Sequence, residues 1–430
     1  MSLKMPFILS IGGDTLCNPE SWEFKMNVKR NESFLTITYL LMILMPLYDC
    51  IMYALSILHF NLPLRMFHLY LLIMIYMVVL LVKFRLPLKN LLVALGIISF
   101  YGINYLWTTE QARVYFNNTD VSALLLVFIP VSCICTARIT DWDNLFNKKI
   151  YLIITDVIIV VSLLSKINLF NTSDYMSFSF RLLPLWGLCL ISAYCFRHKI
   201  QWLFLGIGIF EGLVYGARAP LLYLIIMSFI IWLLLSGDDL KRHKFTHLVP
   251  AVLAFIASIV FIEFILPTMV SSFTDVSYVL RRLQGSSLFE STGREQLFAA
   301  CRKEISNMGF AIHGLFYDRT VLPNGWYAHN FVYEILLSFG WFLGVSLIVF
   351  ILYFIIKTFV KQNIAGKILV VYAICAFFLR YIVSGSIFDE TEFMLFMSIL
   401  YSLQARYSST LNSTAISVDA GRDSKLENWV

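Results

Sequence analysis

Twelve apolar runs, separated by polar stretches, follow one another along the chain: 34–58, 66–82, 91–107, 121–137, 150–165, 180–196, 200–215, 219–236, 248–266, 335–356, 368–384 and 393–404. Most approach the roughly 20 residues that a helix needs to cross the hydrocarbon of a bilayer. Inside hydrocarbon every backbone N–H and C=O needs a partner, which a helix supplies from within the segment. A β-barrel would alternate apolar and polar residues in segments of about 10, whereas these runs are continuous. The pattern predicts an all-α, polytopic membrane protein with twelve transmembrane helices. The shorter runs, the last most of all, are expected to tilt less or to continue into their polar flanks.

Positive charge divides the connections into two sets. Lys83, Arg85, Lys89, Arg138, Lys148, Lys149, Arg197, Lys199, Lys241, Arg242, Lys244, Lys357, Lys361 and Lys367 lie in alternate loops, while the short loops between them hold Arg65, Arg113, Lys166 and Arg218. Lys and Arg are retained on the cytoplasmic side. The first set is therefore expected in the cytoplasm, together with both termini, as an even number of spans requires.

Composition agrees and excludes other classes. Of 430 residues, 59% are apolar and 14% charged, with a mean hydropathy of +0.77. Soluble domains carry about 25% charged residues, and a soluble globule of this size could not bury so much apolar side chain. A soluble enzyme, a disordered chain and a fibrous protein are excluded. The net charge of +6 is mostly a topology signal, since the basic residues form no stripe suited to nucleic acid. Cys50, Cys133, Cys135, Cys189, Cys195 and Cys375 fall in apolar runs, Cys17 in the N-terminal segment and Cys301 outside both. Cys133 and Cys135 lack CxxC spacing, and the cysteines are expected to pack as small apolar side chains.

The chain divides into a polar cytoplasmic segment, 1–33, a transmembrane domain, 34–404, and a Ser-rich tail, 405–430, which reads as disordered and cytoplasmic. Met5–Ile11 is too short for a signal-peptide core. A start at Met26 would give an ordinary short basic lead-in, so residues 1–25 are expected to be dispensable. One connection, 267–328, is long and lies on the outer side of this topology. Connections of that length usually carry function. Val276, Val279, Leu280 and Leu283 recur at helical spacing within Asp275–Leu283. Thr292-Gly293-Arg294-Glu295 is a capping box followed by apolar Leu297, Phe298, Cys301 and Ile305. Both are expected to be helices lying on the membrane or over a cavity, with Pro323-Asn324-Gly325 turning the chain into the next span.

Three clusters hold chemistry. Trp326-Tyr327-Ala328-His329-Asn330 closes the long loop. A His at the mouth of a span is either a base for a hydroxyl near neutral pH or one member of an interfacial aromatic belt. Tyr215-Gly216-Ala217-Arg218-Ala219-Pro220 sets one Arg in a short outward turn, where its guanidinium offers a fork for phosphate or snorkels to the interface. Ser291-Thr292-Gly293-Arg294-Glu295 contributes Arg294, which alone would read as a solvated helix residue. Within or near the runs stand Asp49, Asp156, Glu211, Glu263, Glu334 and Arg380, functional candidates because charge is costly in hydrocarbon. Arg380, near the outer end of its run, either joins a phosphate site or pairs with Asp389 or Glu390. Glu334 lies on a different helix face from His329.

In this order, a Gly-Ala-Arg turn, a long outer loop bearing Ser-Thr-Gly-Arg, and His-Asn entering a span, the clusters resemble the O-antigen polymerase and O-antigen ligase family of bacterial inner-membrane glycosyltransferases. The resemblance covers residues 200–345. His329 and Asn330 are followed by nine residues and then Gly340, as in the ligase pattern, but Leu343 stands where that pattern has Gly, Thr or Tyr, and Gly344 comes one later. This departure favours polymerase over ligase. The resemblance implies donor and acceptor carrying glycans on polyprenyl diphosphate, a membrane-lipid environment, a chain-length regulator protein as partner, and no cofactor or metal. It implies that Arg218 and Arg294 grip the diphosphate and stabilise its developing charge, with Arg281, Arg282, Arg302, Arg319 and Arg380 as further binding candidates. His329 would take the proton of the acceptor hydroxyl or position that hydroxyl, and Asn330 would orient His329 or cap the following helix. A rival class, a proton-coupled transporter or lipid-linked glycan flippase, would use the intramembrane carboxylates and would not need the long outer loop. Transporters more often show two related halves, and no internal repeat is evident here.

Overall fold

A computed structural model describes residues 19–59, 66–84, 88–169, 175–215, 217–236, 294–388 and 390–405. The helices are α1 (Pro19–Ile57), α2 (Met66–Lys83), α3 (Leu88–Trp107), α4 (Glu110–Phe116), α5 (Thr119–Ala123), α6 (Ile129–Ala137), α7 (Asp143–Asn147), α8 (Lys149–Leu169), α9 (Tyr175–Cys195), α10 (Ile200–Tyr215), α11 (Arg218–Leu235), α12 (Arg294–Met308), α13 (Asp318–Val321), α14 (Phe331–Lys361), α15 (Ile364–Ala373) and α16 (Arg380–Val383), then α17 over 391–405. Single π turns, Leu124–Phe128 and Ile374–Phe378, join α5 to α6 and lead from α15 toward α16. Among the described residues there is no strand. Helices fall on eleven of the apolar runs; the remaining run, 248–266, lies outside the described residues. Among the described residues, six helices are long and apolar enough to cross a membrane, and His68–Lys83, Ile200–Tyr215 and Ala219–Leu235 are shorter apolar helices. This is the architecture of an all-α membrane protein.

Burial separates central from peripheral helices. The window in α9 is 83% buried and that in α3 17%. A helix apolar on all sides and buried belongs to the core, while α3 turns apolar side chains such as Leu92 and Leu106 outward, as a lipid-facing helix does. Trp186 of α9 fills the centre, and α10 meets its ring with Gly208, where an added Cβ would come within 2.4 Å. Tyr372 of α15 donates to the Pro184 carbonyl of α9 (3.1 Å), and Tyr39 of α1 donates to the Tyr151 carbonyl of α8 (2.8 Å). Satisfied polar tips let these rings serve as core residues. At one end, Asn31 binds the backbone of Thr140 and Asp141 and Gln362 donates to the Leu403 carbonyl.

The opposite end carries α12–α13 and the start of α14. Leu297, Cys301 and Ile305 are buried along one face of α12, against Leu336 and Leu337 of α14, the face expected from the spacing after the capping box. Asp275–Leu283, with Arg281 and Arg282, lies outside the described residues, as does 406–430. Residues 19–33 are helical and continuous with the first span. One expectation changes. The tenth run is not one helix: Gly340 (φ 67°, ψ −176°) breaks α14 into 331–339 and 341–361. The backbone groups freed there are taken up by the segment before α13: the Ser338 carbonyl accepts from His313 N (3.1 Å) and Gly314 N (2.9 Å), and Trp341 N donates to the Gly309 carbonyl (3.2 Å).

Candidate functional site

His329 is held from both sides by backbone ties. Before it, the buried Asp318 carboxylate accepts the Ala328 N–H (2.9 Å). After it, Asn330 Oδ1 caps α14 by accepting from Val332 N (2.9 Å) and Tyr333 N (3.4 Å), and Asn330 Nδ2 donates to the Ile382 carbonyl (2.9 Å). Of the two roles open for Asn330, capping is the one built. His329 itself has φ 54°, a conformation that non-glycine residues seldom adopt and that needs surrounding structure to hold it. Its ring lies 3.9 Å from that of Tyr327, centroid to centroid, and edge-on to Trp326 at 6.3 Å. Nδ1 is buried and has no hydrogen-bond partner among the described residues. Burial, and then the neighbouring positive charge of Arg294, lower its pKa from 6.5 to about 4. At neutral pH the imidazole is therefore uncharged and presents an acceptor.

That shift sets a pH dependence. Between pH 6.5 and about 4 the unfolded chain binds a proton that folded His329 refuses, so its contribution to stability is present above 6.5 and declines as pH falls through that window. Thermal melts of detergent-solubilised protein between pH 4 and 8 are expected to show a shallower acid-side decline for His329→Gln than for wild type. Parallel curves would count against a neutral, buried His329.

Arg294 opens α12 and donates through its guanidinium to the Val383 carbonyl, one residue beyond the Ile382 carbonyl that binds Asn330. The path from Asn330 through 382–383 to Arg294 thus gathers the end of the long loop, its middle and the end of the eleventh apolar run. Arg380 lies in the same α16 turn. Its guanidinium pairs with Glu390 (3.0 Å) and Glu392 (3.2 Å), lies 5.6 Å over the ring of Phe180 from α9, and is 13% exposed against 26% and 25% for the two carboxylates. The cation sits behind and the carboxylates in front. Of the pairings expected for Arg380, the one with Glu390 is present, joined by Glu392. Tyr327 links the halves: it lies against His329 and hydrogen-bonds Ser384 close to Glu390 and Arg380, with burial raising its pKa. Glu334 points into the same loop, accepting from the Ser386 hydroxyl and from Ile387 N (3.0 Å). Gly385 (φ 86°) lets the chain pass the Glu390 carboxylate, which a Cβ there would meet at 3.1 Å.

The remaining candidates divide. Arg218 begins α11, and Ser179 Oγ of α9 accepts the Ala217 N–H beside it (2.6 Å); the Arg218 side chain lies outside the described residues. Arg302 is exposed and reaches only the rim, toward the Tyr333 hydroxyl (3.4 Å). Arg319 lies over the rings of Phe316 (4.5 Å) and Tyr115 (5.3 Å), which places it in the α4–α13 contact. Sequence reasoning missed Asp318 and Glu392. The acidic run Asp389-Glu390-Thr391-Glu392 beside an in-span Arg was the available signal for Glu392; nothing in sequence marks Asp318. Among the described residues no group of three His, Cys, Asp or Glu side chains is arranged to hold a metal.

Comparison with known proteins gives no lead: no family model, curated protein or solved structure matches the chain.

Proposed function

We propose that the chain is an O-antigen polymerase of twelve spans, with both termini in the cytoplasm and the His329 end facing the periplasm of a bacterial inner membrane. The observation that carries this reading is the convergence of Arg294 and a neutral, unpaired His329 at one end of an apolar helix bundle. A lipid-linked donor brings a diphosphate to the membrane surface, which a guanidinium grips with charge-assisted hydrogen bonds. In the reaction the acceptor hydroxyl oxygen bonds to the anomeric carbon, the bond from that carbon to the diphosphate oxygen breaks, and polyprenyl diphosphate leaves. His329 holds the hydroxyl as a hydrogen-bond acceptor and takes its proton as the new bond forms, Arg294 and Arg218 take up charge on the leaving group, and the Glu390–Glu392 carboxylates face sugar hydroxyls.

Lipopolysaccharide from cells carrying His329→Ala, Arg218→Ala or Arg294→Ala is expected to lose the O-antigen ladder and keep core with a single repeat. Bare core with accumulated lipid-linked polymer would instead indicate the ligase. Ladders unchanged in all three would overturn the glycosyltransferase reading. The transporter or flippase reading has one observation behind it: Glu211 of α10 is fully buried, near Ser162 of α8. It would be favoured if Glu211→Gln abolished the ladder while the other three variants retained it.

A further inference from the structure

Three consecutive residues near the start of α9 each touch a different part of the site. Ser179 holds the backbone that precedes Arg218. Phe180 lies under Arg380. Arg181 pairs with Asp49 of α1 at 3.0 Å. Both helices belong to segments long and apolar enough to span a membrane, Asn27–Ile57 and Ser177–Cys195. An ion pair there is costly unless it has a task. The pair is not sealed: the Arg181 and Asp49 side chains keep 28% and 43% of their surface open. Tyr70 of α2 lies within electrostatic reach of Arg181, Glu390 and Glu392 together, so Arg181 borders the acidic edge of the site on the α1–α2 side.

We infer that Arg181 is a further anion-binding cation of the site, that Asp49 is its resting counter-ion, and that a phosphate or diphosphate headgroup moving in laterally between α1, α2 and α9 displaces Asp49 from it. This rests on the proposed reading only in taking the anion to be a diphosphate borne on a lipid. The exchange is electrostatically simple. In the resting state the Asp49 carboxylate pairs with Arg181. A headgroup with more negative charge and more acceptor oxygens binds the same fork more strongly, and Asp49 then turns to its open side.

The pair makes opposite predictions for its two members, which a structural ion pair does not. Full-length protein in phosphatidylcholine nanodiscs is titrated with farnesyl diphosphate and, separately, with inorganic pyrophosphate. Arg181→Gln is expected to weaken farnesyl diphosphate binding about 10-fold or more, the loss of a hydrogen bond to a charged group. Asp49→Asn is expected to tighten it severalfold, and Asp49→Asn/Arg181→Gln to follow Arg181→Gln. Should Arg181→Gln fail to fold, the tightening in Asp49→Asn decides. Equal weakening in both single variants, or no change in either, overturns the inference. Pyrophosphate bound as tightly as the lipid and with the same dependence would overturn the lateral, lipid-borne part. Binding that follows the expected pattern in a protein whose ladder survives the His329, Arg218 and Arg294 variants would keep this site and overturn the polymerase reading. Ladder loss in those variants with binding indifferent to Asp49 and Arg181 would overturn this inference alone.

Discussion

Arg380→Met is expected to cost up to about 3–5 kcal/mol of stability or to prevent folding, because it strands two partly buried partner charges. Glu390 and Glu392 share that one guanidinium, at 3.0 and 3.2 Å, so its removal leaves two carboxylates at close quarters without their cation. The repulsion between them adds to the desolvation of each. The cost lies in the mismatch rather than in the missing side chain, so Arg380→Met/Glu390→Gln/Glu392→Gln is expected to recover most of the loss. Thermal melts of the purified single and triple variants in one detergent measure both. If Arg380→Met melts with wild type, the triad is not structural, and the guanidinium is available to a phosphate, the other role open to it from sequence.

Gly340→Ala should be nearly as damaging. Its φ of 67° with ψ of −176° lies in a region essentially reserved for glycine, and a Cβ would stand 2.6 Å from the Ala311 carbonyl oxygen. Backbone strain and overpacking together are expected to cost about 3 kcal/mol or more. Nothing stands within 4 Å of a Cβ at Gly102 of α3, where Ala is expected to gain about 0.5–1 kcal/mol from better helix propensity. The pair of variants, compared by thermal melt, separates a glycine needed for geometry from one that is merely tolerated. A Gly340→Ala protein as stable as wild type would mean that the break in α14 is not required.

Why the sequence revealed the helices but only part of the site follows from what hydropathy measures. A continuous apolar run reports the cost of leaving water, and helices accordingly fall on the described runs. The helical spacing of Leu297, Cys301 and Ile305 in α12 was equally legible, because that signal is local. Gly340 was not: glycine in an apolar run is compatible with a straight helix, and only its encounter with residues 309–314 demands the break. Arg181 sits two residues from the start of its run, where a snorkelling side chain would also sit; the partner that makes it notable, Asp49, is remote in sequence. His329, Arg294 and Arg380 were singled out by residue type, yet the neutral state of His329 and the pairing of Arg380 depend on neighbours that no spacing rule encodes.

The π turn at Ile374–Phe378 gives chain length itself a part in this site. A π turn carries one residue more than the α-helix it interrupts, and one residue is about 100° of helical rotation. Arg380 follows just after Leu379, so the extra residue decides which way its guanidinium faces. Deleting a single residue there would leave every side chain of the site present and the run as apolar as before, yet swing Arg380 away from Glu390 and Glu392. In this chain the phase of a helix, and not only its composition, distinguishes an assembled site from a scattered one.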